Sequence, residues 1–222
     1  MKILFIACYS PLINNSAAIE TLQYLNKLSE INNNEVHLLT VNFPKDSIYY
    51  DEVLYSMMDK KIKVHIVDGG IVFTKLMPRN STTSNQSAQS KNGNMKKILR
   101  KIKNSVVIPD MYYGWAKKAG EYGIKLMEKE KFDVIFSMHE PPSSHLCAYY
   151  IKKQYRNVPW ITYWSDPWLK DSTRENSFII KKIIEKNMEK QIVNLADKFI
   201  FVTEANKNEY LKDYEFLKDS NR

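Results

Sequence analysis

The sequence predicts an α/β domain, doubly wound and Rossmann-like, built in three layers around a mostly parallel sheet. Two observations predict it. Six short apolar runs are continuous, not alternating, so they read as strands covered on both faces, and amphipathic stretches with apolar residues three and four positions apart lie between them. Strands and helices that alternate along a chain belong to a parallel sheet wound in both directions. At 222 residues, 44% hydrophobic and 12% aromatic, the chain is long enough for one such domain over 1–222 and too apolar to be disordered as a whole.

The first strand is read at Ile3 to Cys8, within MKILFIACYSP. One lysine before an apolar run imitates a signal sequence, but the run is too short, lacks a clear cleavage site and passes straight into a polar amphipathic segment. A helix follows from Ala17 to Leu28, with Ser16 as its N-cap. Val36 to Val41 and Ile62 to Val67 give the second and third strands. Arg79 to Asn94 has almost no apolar residue and reads as a mobile loop over 79–94, because it cannot bury enough surface to order itself. The basic run Lys96 to Lys103 sets Ile98, Leu99 and Ile102 on one helical face with cations around them, which fits either the solvated side of a packed helix or a peripheral membrane contact through 96–103.

Beyond it, Trp115 to Met127 reads as a helix and Val134 to Met138 as the fourth strand. A helix at Ser143 to Tyr155, the fifth strand at Trp160 to Trp164, a helix at Phe178 to Leu195 and a sixth strand at Phe199 to Thr203 complete the pattern. No stretch approaches the ~18 apolar residues of a membrane-spanning helix. Cys8 and Cys147 lack metal-ligand spacing and read as small buried hydrophobes in a reducing, cytoplasmic compartment. Thirty-three basic against twenty-five acidic residues give a formal +8, which favours an anionic partner. Nucleic acid is disfavoured, because the basic residues are scattered and no nucleic-acid motif accompanies them.

Chemistry is expected where strands end, since polar groups at the carboxyl edge of a parallel sheet face its binding crevice. The segment Lys131 to Trp168 holds two such strand ends. After the first strand, Ser10, Asn14, Asn15 and Ser16 lie in a loop feeding a helix N-terminus, a natural place for an anion. That loop has no glycine, so it carries neither a dinucleotide fingerprint nor a phosphate-cradling Walker loop. After the fourth strand come His139 and Glu140, fixed by Pro141 and Pro142; they fit an acid, a base or a sugar-binding pair, or simply a capped, solvated loop. His145 reads as structural. After the fifth strand, Asp166 is followed by Pro167 and flanked by Trp164 and Trp168, which suits polar recognition in a partly dry site as well as an ordinary Asp-Pro turn. Trp168 is the indole placed against a sugar face. No side-chain cluster has zinc spacing, so no protein-bound metal or other cofactor is expected.

Taken in order, MKILFIACYSP, EVHLLTVNFP, IPDMYYGW, FDVIFSMHEPPSSHLCA, VPWITYWSDPW and LADKFIFVTEANKNEYL resemble the amino-terminal domain of retaining, GT-B-fold glycosyltransferases of family 4. The resemblance implies transfer of a sugar from a nucleotide diphosphate sugar to a glycan or lipid-linked acceptor, as in cell-surface polysaccharide synthesis. It implies that Ser10, Asn14, Asn15, Ser16, His139, Glu140 and Trp168 line the acceptor side, with Asp166 in a supporting catalytic role. In such enzymes the nucleotide sugar is held by a carboxyl-terminal domain that these 222 residues do not supply, so the isolated chain is expected to be inactive. The competing expectation is a noncatalytic α/β binding or interaction domain that pairs with a separate partner.

Overall fold

The computed structural model of the chain describes residues 1–80, 107–170 and 178–218. Six strands, β1 (Lys2–Ile6), β2 (Glu35–Val41), β3 (Lys63–Val67), β4 (Val134–Met138), β5 (Trp160–Trp164) and β6 (Lys198–Phe201), form one sheet in the order 3-2-1-4-5-6. Every pairing between neighbours is parallel, so the sheet is parallel throughout instead of mostly so. The predicted strands are all present, although β1 stops at Ile6 and leaves Cys8 buried in the turn beyond it. Both cysteines are free and buried, as their spacing implied.

Helices α1 (Ser16–Glu30), α2 (Glu52–Ser56), α3 (Gly70–Leu76), α4 (Tyr113–Lys129), α5 (Ser143–Gln154), α6 (Ile179–Leu195) and α7 (Glu204–Asp213) connect or follow the strands. Period-two alternation sends Ile3 and Phe5 to one face of β1 and Leu4 and Ile6 to the other. The first pair joins Leu22 and Leu25 of α1 and Phe136 of β4 in one apolar layer. The second joins Trp115 and Ala119 of α4, Cys147 of α5 and Ile192 of α6 in the opposite layer. Fully burying each of the Ile, Leu and Phe side chains stabilises the fold by about 1.5–3 kcal/mol. Phe5 adds an offset stack on Phe136, with ring centroids 5.0 Å apart.

Helix α4 approaches α5 closely because two glycines face it. A Cβ on Gly120 would stand 2.9 Å from Tyr150 Cβ, and one on Gly123 would stand 2.4 Å from Ile151 Cδ1. At the start of α1 the expected cap shifts by one residue. Asn15, extended at φ −153°, accepts from the Ala18 N–H through Oδ1 at 2.7 Å, while Ser16 is already helical. The opening of the proposed 79–94 loop is held in place: Arg79 Nη1 donates to both Asp46 carboxylate oxygens, and Asn80 N donates to the Asp46 carbonyl. The remainder of that loop and the basic run 96–103 lie outside the described residues. No helix among the described residues is long and apolar enough to cross a membrane.

Candidate functional site

In the order 3-2-1-4-5-6 the sheet reverses its winding between β1 and β4, and a crevice opens beyond their carboxyl ends. A cleft of about 410 Å³ occupies that edge. Ser16, Ala17, Ile19, Glu20 and Gln23 of α1 form one wall; Glu140 after β4 and Ser165 and Asp166 after β5 form the other. Three of the expected site residues, Ser16, Glu140 and Asp166, therefore meet in one place.

Glu140 is held in an unusual backbone state, with φ +77° and a cis peptide to Pro141. A non-glycine residue in the left-handed region costs of order 1–3 kcal/mol and persists only where its surroundings enforce it, most often at functional sites. The enforcing contacts are visible on both sides of the loop. His139 N donates to the Tyr163 carbonyl at 2.8 Å, and Ser143, at the start of α5, donates to Asp110 through its N–H at 3.1 Å and its hydroxyl at 2.7 Å. The loop is thus tied to β5 before the turn and to Asp110 after it.

The other expected residues point elsewhere. Ser10 is fully buried below the first loop. Asn14 donates to Asp51 Oδ2 at 2.9 Å, away from the cleft, and the Asn15 side chain is used in the cap. His139 is buried and stacks on Trp164 with centroids 5.2 Å apart, so it supports the loop from beneath. Trp168 is 1% exposed within the apolar layer and offers no indole face to a sugar. Both aromatic rings were expected at the cleft wall; burial in the β5 aromatic cluster claims them instead.

Sequence reasoning missed Glu20 and Gln23. With Ser16 they recur at the four- and three-residue steps that put side chains on one helix face, so the signal was present in the polar stripe of α1. Glu20 also anchors the floor, because the Tyr163 hydroxyl donates to its Oε1.

Beneath the cleft runs a buried polar chain. Trp160 Nε1 donates to Ser137 Oγ at 2.8 Å, and Ser137 Oγ lies 2.7 Å from His145 Nδ1. Ser137 Oγ thereby joins the Trp160 indole of β5 to the His145 imidazole of α5. Burial, with the nearby His139 ring adding to it, pushes the His145 pKa well below the usual imidazole range. His145 is therefore a neutral structural group, as its sequence position suggested.

At the opposite, amino edge of the sheet Glu35, His37 and Glu130 bring potential metal-ligand atoms within 4.8 Å of one another. Lysines already meet these carboxylates, Lys63 Nζ at 2.5 Å from Glu35 Oε1 and Lys2 Nζ at 2.5 Å from Glu130 Oε2. The Lys63 bond first, and the His37 bond second, hold the Glu35 carboxyl down at about 2. His37 Nδ1 lies 3.0 Å from His65 Nε2, and His65 Nδ1 lies 3.0 Å from the Tyr122 hydroxyl. The cluster is a charge-balanced ionic network across the ends of β1, β2 and β3, far from the cleft.

The chain is thus a doubly wound, Rossmann-like α/β protein with a cleft at the switch point of its parallel sheet. No family model matches it, and no curated protein matches it significantly. Among solved structures it is similar to the S. aureus MnaA–UDP co-structure, with a TM-score of 0.44 and 11% sequence identity over 99% of this chain. The chain spans 42% of the length of that protein.

Proposed function

We propose that the chain is the acceptor-binding, amino-terminal half of a glycosyltransferase that moves a sugar from a nucleotide diphosphate sugar to a glycan or lipid-linked acceptor in cell-surface polysaccharide synthesis. The lining of the cleft carries this reading. Among the described residues it contains the carboxylates of Glu20, Glu140 and Asp166 and no lysine or arginine. Such a wall repels a diphosphate and accepts hydrogen bonds from neutral sugar hydroxyls, and charge-assisted bonds of that kind are about twice as strong as neutral ones.

On this reading Glu20 and Glu140 orient the acceptor, and Asp166, exposed beside Ser165, receives the hydrogen bond of the attacking hydroxyl. The departing nucleotide diphosphate is stabilised by the donor-binding half, supplied by sequence other than these residues. Two of the stretches that carry the resemblance, FDVIFSMHEPPSSHLCA and VPWITYWSDPW, contribute Glu140 and Asp166 to the cleft, which supports this division.

The test is an NMR titration of the chain with a panel of neutral mono- and disaccharides, and separately with UDP. Saccharide-dependent shifts centred on Ser16, Glu20, Glu140 and Asp166, reduced in Glu140→Gln and Asp166→Asn, are expected. UDP shifting the same residues contradicts the acceptor assignment. Sugar transfer by the 222-residue chain alone contradicts the division into halves.

A further inference from the structure

Helix α6 exposes a surface that nothing in the cleft explains. Its inner side is ordinary, with Glu185, Glu189, Ile192 and Val193 buried against the domain. Its first turns are not: Phe178 is 63% exposed, Ile179 77%, Ile180 72% and Ile183 56%. Isolated exposed apolar residues are normal on a soluble protein, but a contiguous group on one helix end marks a contact surface.

The charges on this helix are sorted. Both acidic residues, Glu185 and Glu189, point inward and are buried, whereas Lys182, Lys186 and Lys190 are exposed. The outer surface of α6 therefore carries isoleucines, lysines and neutral amides and no carboxylate. Its N-terminus adds to the positive field, since the first turn has no acidic residue and Phe178 provides no side-chain cap. Because α6 leads from the carboxyl end of β5 to the amino end of β6, that apolar, positive tip sits at the same edge of the sheet as the cleft.

We infer that the amino-terminal half of α6 docks on an anionic lipid bilayer, with Phe178, Ile179, Ile180 and Ile183 entering the headgroup boundary and Lys182 and Lys186 meeting lipid phosphates. An exposed apolar face bordered by lysines is the pattern of an interfacial helix. A second copy of the chain fits less well, because a two-fold contact would set the Lys182 and Lys186 pairs against their own copies. An acidic protein fits less well too: the exposed first turns of α6 lack the Trp, Tyr and Arg anchors of protein interfaces, where lysine is depleted. The inference stands apart from the sugar-transfer reading and needs no ligand in the cleft.

The experiment is vesicle flotation of the whole chain, with pure phosphatidylcholine and with phosphatidylcholine and phosphatidylglycerol in equal parts. The wild-type chain is expected to float with the mixed vesicles far more than with the neutral ones. Replacing Ile179, Ile180 and Ile183 together by Ser removes apolar insertion and lowers partitioning by about a hundredfold or more. The Lys182→Gln and Lys186→Gln pair lowers binding to the mixed vesicles by about fivefold for each lysine and leaves neutral vesicles unaffected. All these residues are exposed, so circular dichroism and melting of the variants should match wild type and exclude misfolding as the cause.

Absence of flotation with either vesicle overturns the inference. So does a triple Ile variant that floats like wild type. If flotation is lost only on changing Lys96, Lys97, Arg100 and Lys101 to Gln, the contact is the 96–103 run and the assignment to α6 fails. Concentration-dependent self-association that the triple variant abolishes, without flotation, would make the patch a contact between copies and likewise overturn it.

Discussion

Glu189 gives the sharpest test of the packing described for α6. Its carboxylate is 3% exposed, with Oε1 accepting from the Tyr214 hydroxyl at 2.7 Å and Oε2 from the Tyr210 hydroxyl at 3.1 Å. Burial is the larger influence and the two phenols oppose it, so the carboxyl is pushed up from 4.5 to about 7. Between those values the folded protein keeps a proton that the unfolded chain has released, and stability must fall as pH rises through the interval. The gap corresponds to about 3 kcal/mol, fully lost only above about pH 7. Glu189→Gln keeps the size, offers Oε1 to one phenol and an amide donor to the other, and cannot ionise. Urea unfolding of both proteins at about pH 4.5 and about pH 8 reads the effect, since every other titrating group contributes equally to the two. The wild type should lose about 3 kcal/mol more than the variant across that range, leaving the variant the more stable protein at the higher pH. Equal losses in the two proteins would refute a buried, proton-holding Glu189.

Two further outcomes follow from contacts elsewhere. Asn15→Ala removes the cap of α1 and should lower stability by about 1 kcal/mol, seen as a lower urea midpoint at unchanged slope, whereas Ser16→Ala should change it much less. Gly120→Val puts a branched side chain where Tyr150 already stands and should cost about 1–3 kcal/mol in thermal unfolding, because α4 and α5 have no room to accept it.

The six strands were legible because each carries a largely apolar run; the central strands β1, β2, β4 and β5 are buried on both faces, and β4 and β5 matched to the residue. The short helices were not. α2 spans five residues and α3 seven, too few for a periodic signal, and α7 is polar along most of its length. In the cleft, Ser16, Glu140 and Asp166 were legible from position alone, since polar residues just past a parallel strand must face the carboxyl edge. Glu20 and Gln23 depend on the rotation of α1 about its axis, which the sequence constrains only through its apolar face. His139 and Trp168 went the other way for a physical reason: an aromatic ring gains more from packing against Trp164 and its neighbours than from solvent, and residue type alone does not say which surface it will find. The sorting of charge on α6 was equally hidden, because Glu185 and Glu189 look like solvated residues until their burial is known.

The hydrogen-bonded trio Trp160, Ser137 and His145 constrains how this protein can diverge. Ser137 Oγ bonds both the indole and the imidazole, so the three positions form a single unit joining β4, β5 and α5. Ser137→Ala alone leaves the indole N–H and the imidazole Nδ1 buried without their partner, and the penalty of about 1–3 kcal/mol for each stranded group exceeds what the lost bonds themselves contribute. Replacing all three by apolar residues of matching volume avoids that penalty. Homologous chains should therefore either keep Ser, His and Trp together or lose them together, and a lineage that carries one without the others should show a compensating polar group in the same pocket.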